Sequence, residues 1–164
     1  MLLSKRHVEP RVLLIEDAEE TQELSRLALE SQACQVTAVS SAEAALGLLN
    51  AGEPFDLLFT DVCLGGISGI ETANRVREHL PQLPILVTSG MDPHRVLPQL
   101  HAGIHFLPKP YSMSDLLDAI RLCFRHAADA ALMPPPATNN CFSMPAIVVR
   151  RWAESSWTCR CGAR

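Results

Sequence analysis

Aromatic side chains are scarce in this chain: Trp, Tyr and Phe together make 5% of its 164 residues, so a core must be built from Leu, Val, Ile and Ala. Long apolar runs are absent as well. No stretch approaches the ~20 apolar residues of a membrane-spanning helix. Met1-Leu2-Leu3 gives way at once to Lys5, Arg6, His7 and Glu9, leaving no apolar core for a signal peptide. The expectation is a soluble, cytoplasmic protein with no membrane partner. A CxxC pair is missing too, and the cysteines show no repeated spacing. The six lie at 34, 63, 123, 141, 159 and 161 with no CxxC pair, which argues against a cysteine-based zinc site and for reduced thiols. Clustered basic residues are lacking in the main body. Residues 1–129 hold 10 Lys/Arg against 17 Asp/Glu (net −7), and residues 130–164 hold four Arg against one Glu (net +3). A surface that acidic argues against direct nucleic-acid binding, which needs grouped Lys and Arg on phosphates.

What is present is a regular alternation. Short apolar runs at 12–15, 36–39, 57–60, 84–88 and 104–107 have the continuous character of buried parallel strands. Helical spacing fills the intervals. Leu24, Leu27 and Ala28 form an expected apolar stripe, and Ile70, Ala73, Val76 and Leu80 another. Ser40-Ser41-Ala42-Glu43 and Ser112-Met113-Ser114-Asp115 carry the spacing of capping boxes. The segment near 93–102 starts well at Asp92-Pro93 but meets Pro98, so a short or kinked helix is expected there. Strands alternating with helices predict an α/β fold, a doubly wound five-stranded parallel sheet with five flanking helices. The pattern ends near His126, before Met133-Pro134-Pro135-Pro136. The remaining ~35 residues are too few for an independent core. A Pro-containing, disordered tail over 129–164 is the expectation.

The chemistry gathers at the strand ends. The first strand ends in Glu16-Asp17, the third in Asp61, the fourth in Thr88-Ser89-Gly90, and the fifth in Phe106-Leu107-Pro108-Lys109-Pro110. In a doubly wound sheet these ends share one rim, where ligands bind. Crowded carboxylates call for a hard divalent cation, and Mg²⁺ suits oxygen ligands and phosphate. A carboxylate beside such a cation, a lysine and a hydroxyl is equipped to accept a phosphoryl group. Taken singly, each residue has a plainer role: Asp61 a turn cap, Glu16–Glu20 a solvated helix start, Thr88 and Ser89 loop caps, Lys109 a surface lysine, Phe106 ordinary core.

Together, Val12–Asp17, Asp56–Gly69, Pro84–Gly90 and Phe106–Pro110, in this order, resemble the receiver domain of two-component response regulators over roughly residues 9–128. The resemblance implies a flavodoxin-like strand order 2-1-3-4-5 and a stand-alone phosphoacceptor, not an enzyme beyond slow self-dephosphorylation. It implies Asp61 as phosphoacceptor. Mg²⁺ would be held by Asp17, by Asp61, by Glu16 through a bound water, and by the backbone carbonyl of Cys63. Thr88 and Lys109 would meet the phosphoryl oxygens, Thr88 and Phe106 would act as switch residues, and a cis bond would precede Pro110. A sensor histidine kinase or histidine phosphotransfer protein would donate the phosphoryl group. A downstream protein target, and in some receivers a second copy of the chain, would read the face made by the fourth helix, fifth strand and fifth helix.

Several positions depart from the family's habit. Glu16 stands where Asp is commonest, Gly65 where Pro is usual, Ser68 where an acidic or polar residue is usual, Ser89 where Ala is common, and Phe106 lacks the hydroxyl of a Tyr. These bear on the lifetime of a phosphoryl group, not on its formation. Two alternatives stay open at this point. One is the receiver portion of a transcriptional regulator or hybrid kinase lacking its output domain. The other is a Mg²⁺-dependent aspartyl-phosphate phosphohydrolase, which Cys63 disfavours because a second Asp belongs there.

Overall fold

The computed structural model describes residues 9–132, with side-chain surroundings through 126. The expectations for the 133–164 segment lie outside the described residues. Five strands form one parallel sheet in the order β2-β1-β3-β4-β5. They are β1 (Arg11–Ile15), β2 (Gln35–Val39), β3 (Leu57–Asp61), β4 (Ile85–Ser89) and β5 (Ile104–Pro108). The helices are α1 (Glu19–Glu30), α2 (Ala42–Asn50), α3 (Gly69–His79), α4 (Pro93–Val96) and α5 (Met113–Leu132). This is the expected doubly wound architecture.

The central strands β3 and β4 are buried along their whole length. Alternate residues then feed two separate cores, as the two-residue period of a strand requires. Val12, Leu14, Leu57, Phe59 and Leu86 pack with Ala28 and Leu29 of α1 and with Leu116, Ile120 and Cys123 of α5. On the other face, Leu13, Ile15, Leu58, Ile85 and Val87 pack with Ala45, Ala73, Val76 and Val96 from α2, α3 and α4. Each fully buried Leu or Ile contributes about 2 kcal/mol. The exposed ion pairs of Arg26 with Glu23 and Glu30 are screened by solvent and add little. Burial in the two cores therefore decides the fold.

Three helical expectations need correction. In α1 the buried face is Ser25, Ala28 and Leu29, whereas Leu24 and Leu27 are 69% and 51% exposed. The α2 cap is Ser41, not Ser40: its hydroxyl accepts from the Ala44 amide at 3.2 Å, so Glu43 is not the reciprocal capping partner. Helix α5 runs on through Leu132, beyond the point near His126 where the periodic pattern fades. Two others hold. Ser112 and Asp115 exchange capping bonds at 2.8 and 3.2 Å. The Pro98 effect is also seen: α4 lasts only Pro93–Val96 before a 3₁₀ turn at Leu97–Gln99. No helix among the described residues is long and apolar enough to cross a membrane.

One close approach fixes the path from β3 into α3. A Cβ built at Gly69 would stand 1.8 Å from the Asp61 carbonyl oxygen and 3.0 Å from the Thr60 hydroxyl. Only a residue without a side chain lets the helix start against the end of the strand. Gly69→Ala is therefore expected to lower stability by about 2 kcal/mol or more, since the clash is with backbone. Urea denaturation checks this, and an unchanged midpoint would show that the contact relaxes freely.

Candidate functional site

The parallel register places the chemically distinctive residues along the carboxyl edge of the sheet. Asp61 lies opposite Thr88, and Ser89 opposite Pro108, so β3, β4 and β5 end in step. Backbone bonds continue past the strands: the Val62 amide donates to Thr88 O at 2.9 Å, and the Lys109 amide to Ser89 O at 2.8 Å. The Lys109–Pro110 peptide bond is cis, as the resemblance implies.

At this edge the Lys109 ammonium stands 2.7 Å from Asp61 Oδ1 and 3.3 Å from Glu16 Oε2. Both acids are buried, Glu16 at 5% and Asp61 at 6% exposure. Two carboxylates removed from water need a compensating charge. Lys109 supplies it for both. Burial pushes the Glu16 carboxyl above its ordinary value and the Asp61 charge adds to this; Lys109 and the Ala18 amide oppose the shift without cancelling it. For Lys109, burial works toward a lower value. The hydrogen bond and charge of Asp61, with Glu16 behind them, outweigh that and hold the ammonium above the usual lysine range. The lysine is thus a fixed cation at neutral pH.

The remaining valences are met by backbone. Asp61 Oδ2 accepts from the Cys63 amide at 2.7 Å, and Glu16 Oε1 from the Ala18 amide at 3.3 Å. The Thr88 hydroxyl is the exception: it is buried and has no hydrogen-bond partner. An orphaned hydroxyl paired in register with a buried carboxylate is a costly feature in a folded protein. It has a ready explanation in an oxygen-rich ligand.

The other predicted residues sit differently. Asp17 is exposed, and its Oδ2 accepts from the Gly65 amide at 3.2 Å. Among the described residues no three His, Cys, Asp or Glu side chains are grouped as a metal cluster. The tight three-acid group expected from the sequence is therefore two acids and a lysine, with Asp17 at the rim. Phe106 is partly buried against the α2–α4 core. Cys63 is a free, exposed thiol, while Cys34 and Cys123 are free and buried. Glu16, Asp17, Asp61 and the Cys63 carbonyl, the ligands implied by the resemblance, would together offer only oxygen, which fits a hard cation such as Mg²⁺.

Glu43 was not anticipated at the site. Its Oε1 accepts from the Ile67 amide at 3.4 Å, next to Gly66, whose φ of +101° suits glycine alone. Together Asp17 and Glu43 hold the loop after β3 from two sides. The Gly65-Gly66 pair was the sequence signal for a mobile turn needing such ties.

Known proteins bear on this geometry. The profile of the family described as response regulator receiver domain matches residues 12–121. Over 121 residues the chain is 32% identical to the two-component response regulator ORR3 of Oryza sativa subsp. indica, covering 71% of this chain and 90% of that protein. It is 31% identical to the response regulator protein FleR of Pseudomonas aeruginosa over 150 residues, 85% of this chain but 31% of FleR. With the transcriptional regulatory protein CpxR of Escherichia coli K12 the identity is 30% over 118 residues, covering 71% of this chain and 50% of CpxR. The chain thus spans half or less of the FleR and CpxR lengths. A response regulator receiver protein from Sinorhizobium medicae superposes with TM-score 0.69 at 25% identity, covering 73% of this chain and 97% of that one. A CheY-like receiver domain protein from Methanospirillum hungatei gives TM-score 0.69 at 21% identity, with 75% and 99% covered, a likeness of fold. The edge-on array of Glu16, Asp61 and Lys109 therefore stands in a known setting: this chain belongs to the response regulator receiver family.

Proposed function

We propose that the chain stores a signal as a phosphoryl group on Asp61. Receiver domains are signalling phosphoacceptors and generally not enzymes, and the proposal assigns that role to particular side chains here. The observation that carries it is the Lys109 ammonium held between Asp61 and Glu16 at the carboxyl edge of the sheet. A carboxylate oxygen of Asp61 attacks phosphorus of a phosphohistidine on a sensor kinase or histidine phosphotransfer protein. The phosphorus–nitrogen bond breaks, the imidazole leaves with its electron pair, and an acyl phosphate remains on Asp61. Lys109, already charged, turns from two carboxylates to the incoming phosphoryl oxygens. The unpartnered Thr88 hydroxyl gains an acceptor in the same step.

Mg²⁺, when bound, neutralises charge on the transferring oxygens. Glu16, Asp17, Asp61 and the Cys63 carbonyl are the groups that would hold it. Asp17 would have to leave the Gly65 amide, so metal binding and the loop after β3 are coupled. Recruitment of Thr88, with movement of the partly buried Phe106, would alter the face of α4, β5 and α5. A short α4 with few backbone bonds of its own is suited to that change. A downstream protein in the cytoplasm, or a second copy of the chain, would read it. Any self-dephosphorylation is slow on this reading.

Two outcomes test these assignments. Asp61→Asn is expected to abolish labelling from acetyl phosphate in the presence of Mg²⁺; retained labelling contradicts the assignment. Glu16→Gln separates the metal role from the fold. A carboxyl whose value is raised on folding stabilises the protein below its unfolded value, and that contribution is lost as pH rises through the folded value. Without metal, Glu16→Gln is therefore expected to be at least as stable as the parent at neutral pH, the difference closing toward acid pH. Its Mg²⁺ affinity should fall about tenfold or more. Denaturant titrations with and without Mg²⁺ measure both, and unchanged Mg²⁺ affinity removes Glu16 from the metal role.

A further inference from the structure

The opposite end of the sheet holds a second concentration of ionisable groups that the phosphoacceptor role does not use. Pro84 and Gly103 lead into β4 and β5, so the pocket they line lies at the amino ends of these strands, away from Asp61. Its volume is ≈ 220 Å³, and its functional lining is Arg77 of α3, Gln82, His105 of β5, and Cys123 and His126 of α5. That is below the roughly 300–1,000 Å³ of sites for drug-sized ligands, so the space suits a small ion.

The charge balance of this pocket is one-sided. Arg77 is half-buried, and it donates to the carbonyls of Pro81 and, at 2.8 Å, Gly103, while its Nε is buried with no partner. No carboxylate is among the described residues that line the pocket. Glu78, next in sequence to Arg77, lies 3.8 Å from His101 instead. The Cys123 thiol offers no negative charge, since burial pushes it up to about 12. His105 Nε2 and His126 Nδ1 stand 3.2 Å apart, with ring centroids 4.8 Å apart. One nitrogen must donate and the other accept, so the pair is at ease only with a shared proton. Burial, then His126, then Arg77 depress His105, and burial depresses Arg77. Burial is the larger cause for both, and the neighbouring His126 and Arg77 add to it at His105.

We propose that this pocket binds a small oxyanion, of the carboxylate or phosphate type, held by Arg77 and by the hydrogen-bonded His105–His126 pair once it has taken up one proton. The anion supplies the negative charge that three converging basic side chains lack. Its binding takes up one proton at the histidine pair, because an imidazolium facing an anion is favoured where an imidazolium facing Arg77 alone is not. Affinity therefore rises as pH falls through the histidine range. The site lies on α3, β5 and α5, and the last two are the elements on either side of Lys109 in the chain.

The test uses the full chain without divalent metal. The imidazole C2–H resonances of His105 and His126 are followed by NMR as sodium sulfate or sodium acetate replaces sodium chloride at constant ionic strength. Saturable shifts and raised titration midpoints are expected for this pair, with the exposed His79 and His94 unmoved. Sulfate acting alone assigns a phosphate-type dianion, acetate acting alone a carboxylate. His126→Gln, an exposed position that should leave the fold intact, is expected to weaken binding about tenfold, the worth of one charged hydrogen bond. Arg77→Met should remove it, but Arg77 also ties α3 to two carbonyls, so His126→Gln is the deciding variant. Responses to sulfate and acetate that match chloride, or equal affinity in His126→Gln, overturn the proposal.

Discussion

One ammonium serves two buried carboxylates, and the carboxyl edge of this protein is arranged around that fact. Glu16 and Asp61 are nearly solvent-free, and burial pushes the Glu16 carboxyl above its ordinary value. Lys109, 2.7 Å from Asp61 and 3.3 Å from Glu16, supplies a cation that both face. The arrangement stabilises the fold little, because desolvation offsets most of what the charges gain. Its consequence is chemical. On the proposed function, Asp61, buried beside a cation that can shift partners, is the nucleophile that meets phosphorus.

The scaffold exists to bring these residues to one line from distant points in the chain. Three consecutive parallel strands, β1, β3 and β4, lie side by side, and β5 closes the edge. Glu16, Asp61 and Lys109 each follow or end a strand, so strand register alone sets their spacing. Gly69 then permits α3 to begin directly behind Asp61, and the loop between is tied by Asp17 and Glu43. The two cores on either face carry most of the stabilisation, which leaves the rim free to carry unfavourable features: an orphaned Thr88 hydroxyl and a four-residue α4.

The strands and their acid tips could be seen in the sequence because a parallel strand buried on both faces is continuously apolar, and a charge at its end is conspicuous. Helix α1 was less legible. Its buried face includes Ser25, so counting apolar residues favoured the exposed Leu24 and Leu27 instead. At α2, adjacent serines offered alternative caps one residue apart, and the choice of Ser41 freed Glu43 for the loop. Asp17 was read as a third member of a tight acidic group, yet its neighbour in space is a backbone amide 48 residues away. Contacts between a side chain and a distant loop leave no periodic trace. Nor did the sequence point to the pocket of Arg77, His105 and His126, whose members come from three elements with no shared motif.

The claim on which all else rests is that the chain forms an acyl phosphate at Asp61. The most direct measurement is chemical trapping: exposure of the intact chain to acetyl phosphate and Mg²⁺, reduction with borohydride, proteolysis and mass spectrometry. An acyl phosphate is reduced to the corresponding alcohol, whereas a free carboxylate survives. The account predicts reduction confined to the peptide carrying Asp61 and dependent on Mg²⁺. Reduction at another acid, or none at Asp61 under conditions where the fold is intact, would contradict it.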